Sequence, residues 1–183
     1  LFMRYDRIGD MLISTPVFRE LKKSLPDIEV TVLASKLNED ILTNNPYVDR
    51  VVVNDKNNLF GDLFSLIKLR WLKFDVCIEF DHSVVPHAIL RLRIINPKKI
   101  ISVSKNGRYG VRGTELKMYN FYTDKLKNEH SKNVWLRTLS PFGIKSESSF
   151  YDLFISEYQE EMAKKFLSQY HGFFKVGINL EGA

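Results

Sequence analysis

Leu1-Phe2-Met3-Arg4-Tyr5, then Asp6-Arg7-Ile8-Gly9-Asp10, then Met11-Leu12-Ile13-Ser14-Thr15-Pro16-Val17-Phe18-Arg19-Glu20-Leu21 reads as strand, polar turn and amphipathic helix. The first five residues look like the end of a strand already under way, as if the front were clipped. Ser14 and Thr15 before Pro16 predict the start of the helix. A hydroxyl can cap free amides there, and proline lacks a donor that the first turn would leave unpaired. Pro26-Asp27 closes it.

Working outward, the same beat repeats. Strands are expected at 28–34, 50–54, 74–80 and 99–103, with helices at 37–42, 59–72 and 130–139 between or after them. Val84 to Ile95 alternates in part like a strand, but its length and position suit a crossover helix. A weaker strand is expected at 151–155, then a charged helix over 157–170 and a terminal strand over 173–180. Strands separated by helical stretches imply βαβ units. The fold class is therefore α/β, a Rossmann-like, mostly parallel sheet with helices on both faces, whose ligands bind beyond the carboxyl ends of the strands.

Composition agrees with a folded domain. Of 183 residues, 44% are hydrophobic and 27% charged, which excludes a disordered chain. No apolar run approaches the ~18 residues that a membrane-spanning helix needs. The single cysteine, Cys77, cannot make an internal disulfide and is expected to be a buried, inert thiol, so a cytoplasmic, reducing setting is the natural reading. His82, His87, His130 and His171 lack ligand spacing, and no metal or cofactor is expected. Trp71 and Trp135 read as packing residues.

Charge is unevenly placed. Residues 82–114 hold seven basic side chains (Arg91, Arg93, Lys98, Lys99, Lys105, Arg108, Arg112) and no acidic one, against +5 for the whole chain. An anionic partner is implied. The ordinary alternative is a solvated basic face. No helix-turn-helix, zinc-finger or aromatic RNA-binding pattern accompanies the charge, so nucleic acid is not the expected partner.

The turn after the first strand concentrates the chemistry. Gly9 permits a positive φ or a close backbone approach, and Asp10 follows it near a helix start, where the dipole favours an ionised carboxylate. An ionised carboxylate can act as a general base; equally, Asp10 can merely cap the helix while Asp6 pairs with Arg7. Neither G-x-G-x-x-G nor a Walker-type loop is present.

Asp6-Arg7-Ile8-Gly9-Asp10 with Ser14-Thr15-Pro16 resembles the N-terminal signature of the ADP-heptose:lipopolysaccharide heptosyltransferases, glycosyltransferase family 9. Asn45-Pro46-Tyr47-Val48-Asp49, Phe74-Asp75-Val76-Cys77-Ile78-Glu79-Phe80, the helix after His130 and Val176-Gly177-Ile178-Asn179 follow the same pattern. The chain departs from it at Asn179-Leu180-Glu181-Gly182-Ala183, where Asn-Pro-Gly-Ala is usual, and at Glu79-Phe80-Asp81-His82-Ser83, where Asp-x-His-Gly is usual. The resemblance implies the N-terminal half of a GT-B enzyme. Residues 1–172 would form the acceptor-binding domain and 173–183 would open the donor-binding domain, the 183 residues alone being inactive.

It also implies an inverting, metal-independent transfer of heptose or a related sugar from an ADP-sugar to the anionic lipopolysaccharide inner core. Asp10 would be the catalytic base. Arg7, Gly9, Thr15, Arg108 and Arg112 would contact the acceptor, Arg7 also being able to orient Asp10, and Gly182 and Ala183 would meet the donor. Peripheral contact with the inner face of an anionic membrane fits a lipid-anchored acceptor. The competing reading is a non-catalytic module that binds an anionic glycolipid or phosphate-rich partner through residues 91–112.

Overall fold

A computed structural model describes residues 1–5, 7–54, 59–105, 116–124, 129–145 and 150–178. Six strands, β1 (Phe2–Met3), β2 (Thr31–Ser35), β3 (Arg50–Asn54), β4 (Val76–Glu79), β5 (Lys99–Val103) and β6 (Phe121–Thr123), form one sheet. Its order is β3-β2-β1-β4-β5-β6, and every pairing is parallel. The chain winds outward from β1 in both directions. The topological switch point therefore lies between β1 and β4, where Phe2 stands level with Val32 on one side and Ile78 on the other.

Helices cover both faces because the strands are apolar on both. On one face, Phe2, Val32, Ile78 and Phe80 pack against α1 (Ile8–Ser24) and α4 (Ser131–Leu136), through Phe18 and Trp135 among others. On the other, Met3, Tyr5, Leu33 and Cys77 meet α2 (Leu59–Trp71) and α3 (Pro86–Ile95), through Leu66, Leu69, Leu92 and Ile95. Alternation along Leu1 to Tyr5 divides the first strand between these two cores. The α3 segment is helical: its inward residues Ala88, Arg91, Leu92 and Ile95 recur at helical spacing, and Pro86 opens it.

The first helix starts earlier than the Ser14-Thr15-Pro16 triplet predicts. It runs from Ile8, with Arg7 at the N-cap, and carries Pro16 in its interior. Pro16 cannot donate to the Leu12 carbonyl, and the Thr15 hydroxyl does so instead at 2.8 Å. Ser14 likewise donates to the Asp10 carbonyl at 2.8 Å. What reads as a cap is a repair. Met11, Ser14, Thr15, Phe18 and Leu21 all lie on the buried face, a helical spacing that continues through the proline.

Other elements differ in extent. The 37–42 helix contracts to a 3₁₀ turn, Glu39–Leu42, and α4 passes into a second one, Arg137–Phe142. Residues 151–155 form neither helix nor strand; the Asp152 amide donates to Thr15 Oγ1 at 2.9 Å rather than to a ladder. Among the described residues of the expected terminal strand, 173–178 pair with nothing in the sheet and are exposed, since alternation signals fit to a pleated surface and not a neighbour to pair with. The three-residue β6 was not expected. A capping box between Ser156 and Gln159 starts α5 (Glu157–Ser168).

Candidate active site

At the carboxyl end of β1 the backbone of Arg4 is fixed on two sides. Its amide donates to the Leu33 carbonyl at 3.1 Å, and its carbonyl accepts from Asn38 Nδ2 at 3.2 Å. The side chain turns across the switch point and is only 2% exposed. Nη1 of the guanidinium donates to the Phe80 carbonyl beyond β4 at 2.9 Å, Nη2 meets Asp10 Oδ1 at 2.9 Å, and the group lies 4.1 Å from the centre of the Trp135 ring. Such a fork makes charge-assisted hydrogen bonds in a fixed plane, so it sets where the carboxylate points.

Asp10 occupies the first turn of α1, where the helix dipole favours negative charge. The N-cap is Arg7 and makes no side-chain cap, so the cap-only reading of Asp10 gives way to a carboxylate paired with Arg4. Its side chain remains 36% exposed. A partly open carboxylate held by a buried arginine at a switch point is suited to accept a proton from a bound hydroxyl. The orienting cation beside it is Arg4, which the sequence reading passed over in favour of Arg7. Its signal was available: an arginine closing an otherwise apolar strand.

The remaining expected residues separate into three groups. Arg7 and Gly9 are exposed beside Asp10. Gly9 is helical, without a positive φ, and a Cβ built on it meets nothing within 4 Å, so its lack of a side chain leaves open space rather than relieving backbone strain. Thr15 corrects the expectation of a substrate contact. It is completely buried, and its hydroxyl both donates to Leu12 and accepts from Asp152. Arg108, Arg112, Gly182 and Ala183, with Asp6, lie outside the described residues.

A second polar cluster sits at the ends of β4 and β5. Buried Glu79 is paired with Lys105, and its Oε2 also accepts from Ser102 Oγ at 3.1 Å and Tyr119 OH at 3.2 Å. Its Oε1 accepts the Asp81 amide at 2.7 Å, so the network pins the backbone leading to His82. Burial first, and then Glu79, holds the Tyr119 phenol protonated far above its usual range; the same causes push Tyr122 up to about 12. His82 stands edge-on to Trp135 with ring centres 4.9 Å apart, next to the ring that Arg4 covers. Trp135 is thus the packing residue the sequence suggests, whereas Trp71 is not: it is 75% exposed.

Three of the seven cations of the basic run are paired within the fold. Arg91 is buried against Asp62 at 3.0 Å, Lys105 against Glu79, and exposed Lys98 pairs with Asp75 at 2.6 Å. The acids that pair with these three come from other parts of the chain, which a window count cannot register. Cys77 is buried with its thiol pushed up to about 12 by burial, as expected of an inert cysteine. Among the described residues no group of three or more His, Cys, Asp or Glu is arranged to hold a metal.

The doubly wound parallel sheet with helices on both faces is the fold of one Rossmann-like half of a GT-B architecture. A glycosyltransferase family 9 structure from Veillonella parvula superposes with a TM-score of 0.73 at 20% identity, covering 94% of this chain and 49% of that one. Lipopolysaccharide heptosyltransferase 3 of Escherichia coli is 33% identical over 90 residues, 46% of this chain and 26% of the relative. Lipopolysaccharide heptosyltransferase 1 of Campylobacter coli is 26% identical over 143 residues, 75% of this chain and 38% of the relative. The chain therefore spans well under half the length of these curated relatives. No family model matches it. Sequence and fold together support the heptosyltransferase family that the Asp6–Asp10 turn resembles.

Proposed function

We propose that this chain carries the acceptor-binding part and the general base of an inverting, metal-independent sugar transferase. The observation that carries the reading is Asp10, partly open to solvent and held by the buried fork of Arg4 at the switch point. The acceptor hydroxyl lies against Asp10, which takes its proton as the oxygen attacks the anomeric carbon of the donor. The C–O bond to the nucleoside diphosphate breaks on the opposite side, the diphosphate leaves with the electron pair, and the configuration inverts. Arg4 contributes by orientation, because a carboxylate free to rotate would spend little time aligned with that proton.

Kinship to heptosyltransferases supports an ADP-heptose or related ADP-sugar as donor and the anionic inner core of lipopolysaccharide as acceptor. Exposed Arg7 and the open space over Gly9 fit an anionic sugar docking beside Asp10. Residues 1–172 act as the acceptor domain, and residues from 173 lead into the donor domain, with Gly182 and Ala183 near the donor and Arg108 and Arg112 closing on the acceptor. A lipid-anchored acceptor brings the protein to the cytoplasmic membrane surface.

The test is ADP release from ADP-heptose in the presence of core acceptor by the protein that carries this chain. Asp10→Asn keeps the Arg4 contact through its amide oxygen but removes the base, and is expected to lower kcat by about 10²–10⁴-fold. Unchanged kcat would remove Asp10 from the mechanism.

A further inference from the structure

Helix α2 is apolar on two opposite sides. Leu66 and Leu69 are buried against the sheet, and Asp62 turns the same way to meet Arg91. Phe60, Phe64, Ile67 and Trp71, spaced four, three and four residues apart, form a straight stripe on the outer side, with Phe60 89% and Trp71 75% exposed. An α-helix with apolar residues on both sides ordinarily has both covered. Here the inner side has the sheet.

The flanks of the stripe indicate what covers it. By the same helical geometry Lys68 lies along one border and Arg70 along the other. Lys68 Nζ is 4.4 Å from the centre of the Phe64 ring, and Arg70 donates to the Ile94 carbonyl at 2.9 Å. Lys73 follows directly, and α3 beside α2 adds exposed Leu90 and Arg93. The one acid of α2, Asp62, faces inward. A narrow ridge of aromatic rings with a cation on each border, Lys68 on one and Arg70 on the other, matches the boundary of a bilayer, where rings enter the acyl region and cations meet anionic headgroups. A second copy of the chain is a poor match, because two such ridges would bring Lys68 and Arg70 of one against those of the other.

We infer that the outer face of α2, centred on Phe60, Phe64 and Trp71, is a docking surface for anionic phospholipid membrane. Of the basic run only exposed Arg93 borders this surface; Arg91 and Lys105 are buried in ion pairs and take no part in it. Its usefulness rests on the reading of a lipid-anchored acceptor; its binding does not, so the two fail separately. A surface of this kind would hold the enzyme against the layer that carries its acceptor and confine the acceptor search to two dimensions.

Trp71 is a built-in probe, since the other tryptophan of the chain, Trp135, is buried. The chain is mixed, without sugar donor or acceptor, with vesicles of equal parts phosphatidylglycerol and phosphatidylcholine, or of phosphatidylcholine alone. Co-sedimentation and tryptophan emission are recorded. Expected are binding and a blue shift with the anionic vesicles only, and loss of the shift in Trp71→Phe with binding kept within about threefold. Phe60→Ser/Phe64→Ser should weaken partitioning roughly tenfold or more without changing the melting temperature, because both rings are exposed. Lys68→Glu/Arg70→Glu should do the same. Binding by Phe60→Ser/Phe64→Ser as strong as by the parent chain, or binding without a Trp71 shift, would overturn the proposal. So would a shift that grows with protein concentration in the absence of vesicles, which would mark a contact between copies.

Discussion

Replacing Arg4 by Met tests the link between the buried fork and the chemistry of Asp10. Methionine keeps much of the aliphatic volume and removes, among the contacts with described residues, the hydrogen bond to the Phe80 carbonyl, the pairing with Asp10 and the stacking on Trp135. A hydrogen bond from a charged group is worth about 1.5–3 kcal/mol, and a desolvated cation–π contact about 1–2. The Asp10 side is about a third open to water, so its share is discounted for screening. The net expectation is about 3 kcal/mol of lost stability, or roughly a 6–12 °C fall in melting temperature for a chain of this size. In ADP-release kinetics kcat should drop by about 10²-fold with KM for the donor little changed, because the loss is one of alignment at the base. Arg4→Lys should recover part of the stability but little of kcat, since an ammonium cannot span Phe80 and Asp10 in one plane. A variant Arg4→Met that melts within about 1 °C of the parent and retains kcat would refute the reasoning at both levels.

Gly9→Ala separates the two roles assigned to that position. A Cβ there meets nothing within 4 Å and the residue is helical, so melting should rise with a gain of roughly 0.5–1 kcal/mol, whereas kcat/KM for the acceptor should fall if the acceptor approaches over it. A gain in stability with unchanged acceptor kinetics would exclude Gly9 from the site. Cys77 gives a prediction in pH. Its thiol is raised from 9.0 to about 12, so the folded chain keeps a proton that the unfolded chain has lost. Stability from this group is complete below pH 9 and falls as pH rises toward 12, and thermal melts of Cys77→Ala should show a shallower fall over that window.

Much of the fold is legible because a parallel sheet imposes a simple rule: each strand is covered on both faces and reads as an apolar run. Val32-Leu33-Ala34 and Cys77-Ile78 obey it, and the segments between them are long enough to cross over as helices. The rule fails where a strand is defined by its neighbour rather than by its own residues. β6 has three residues and exists through its pairing with β5, whereas Tyr151 to Ile155 has the alternation of a strand and no partner. Helix starts are harder to read. Ser14-Thr15-Pro16 satisfies every local requirement of a cap, and only the compensating bond from Thr15 to Leu12 tells a repaired interior proline from a first-turn one.

The site follows the same division between local and long-range information. Asp10 is visible from its own turn, but the residue that gives it direction lies six positions earlier and is itself fixed by groups from distant parts of the chain: Leu33, Phe80 and Trp135. Charge behaves likewise. A window over 82–114 sees seven cations and no acid, while in the fold Asp62, Glu79 and Asp75 answer Arg91, Lys105 and Lys98 from outside it. Meanwhile, Trp71, which a helical pattern assigns to packing, stands on the outer side of α2 because Leu66 and Leu69 already fill the inner one. Periodicity finds one buried face of a helix; a second apolar face on the same helix is evidence of a second surface to be met.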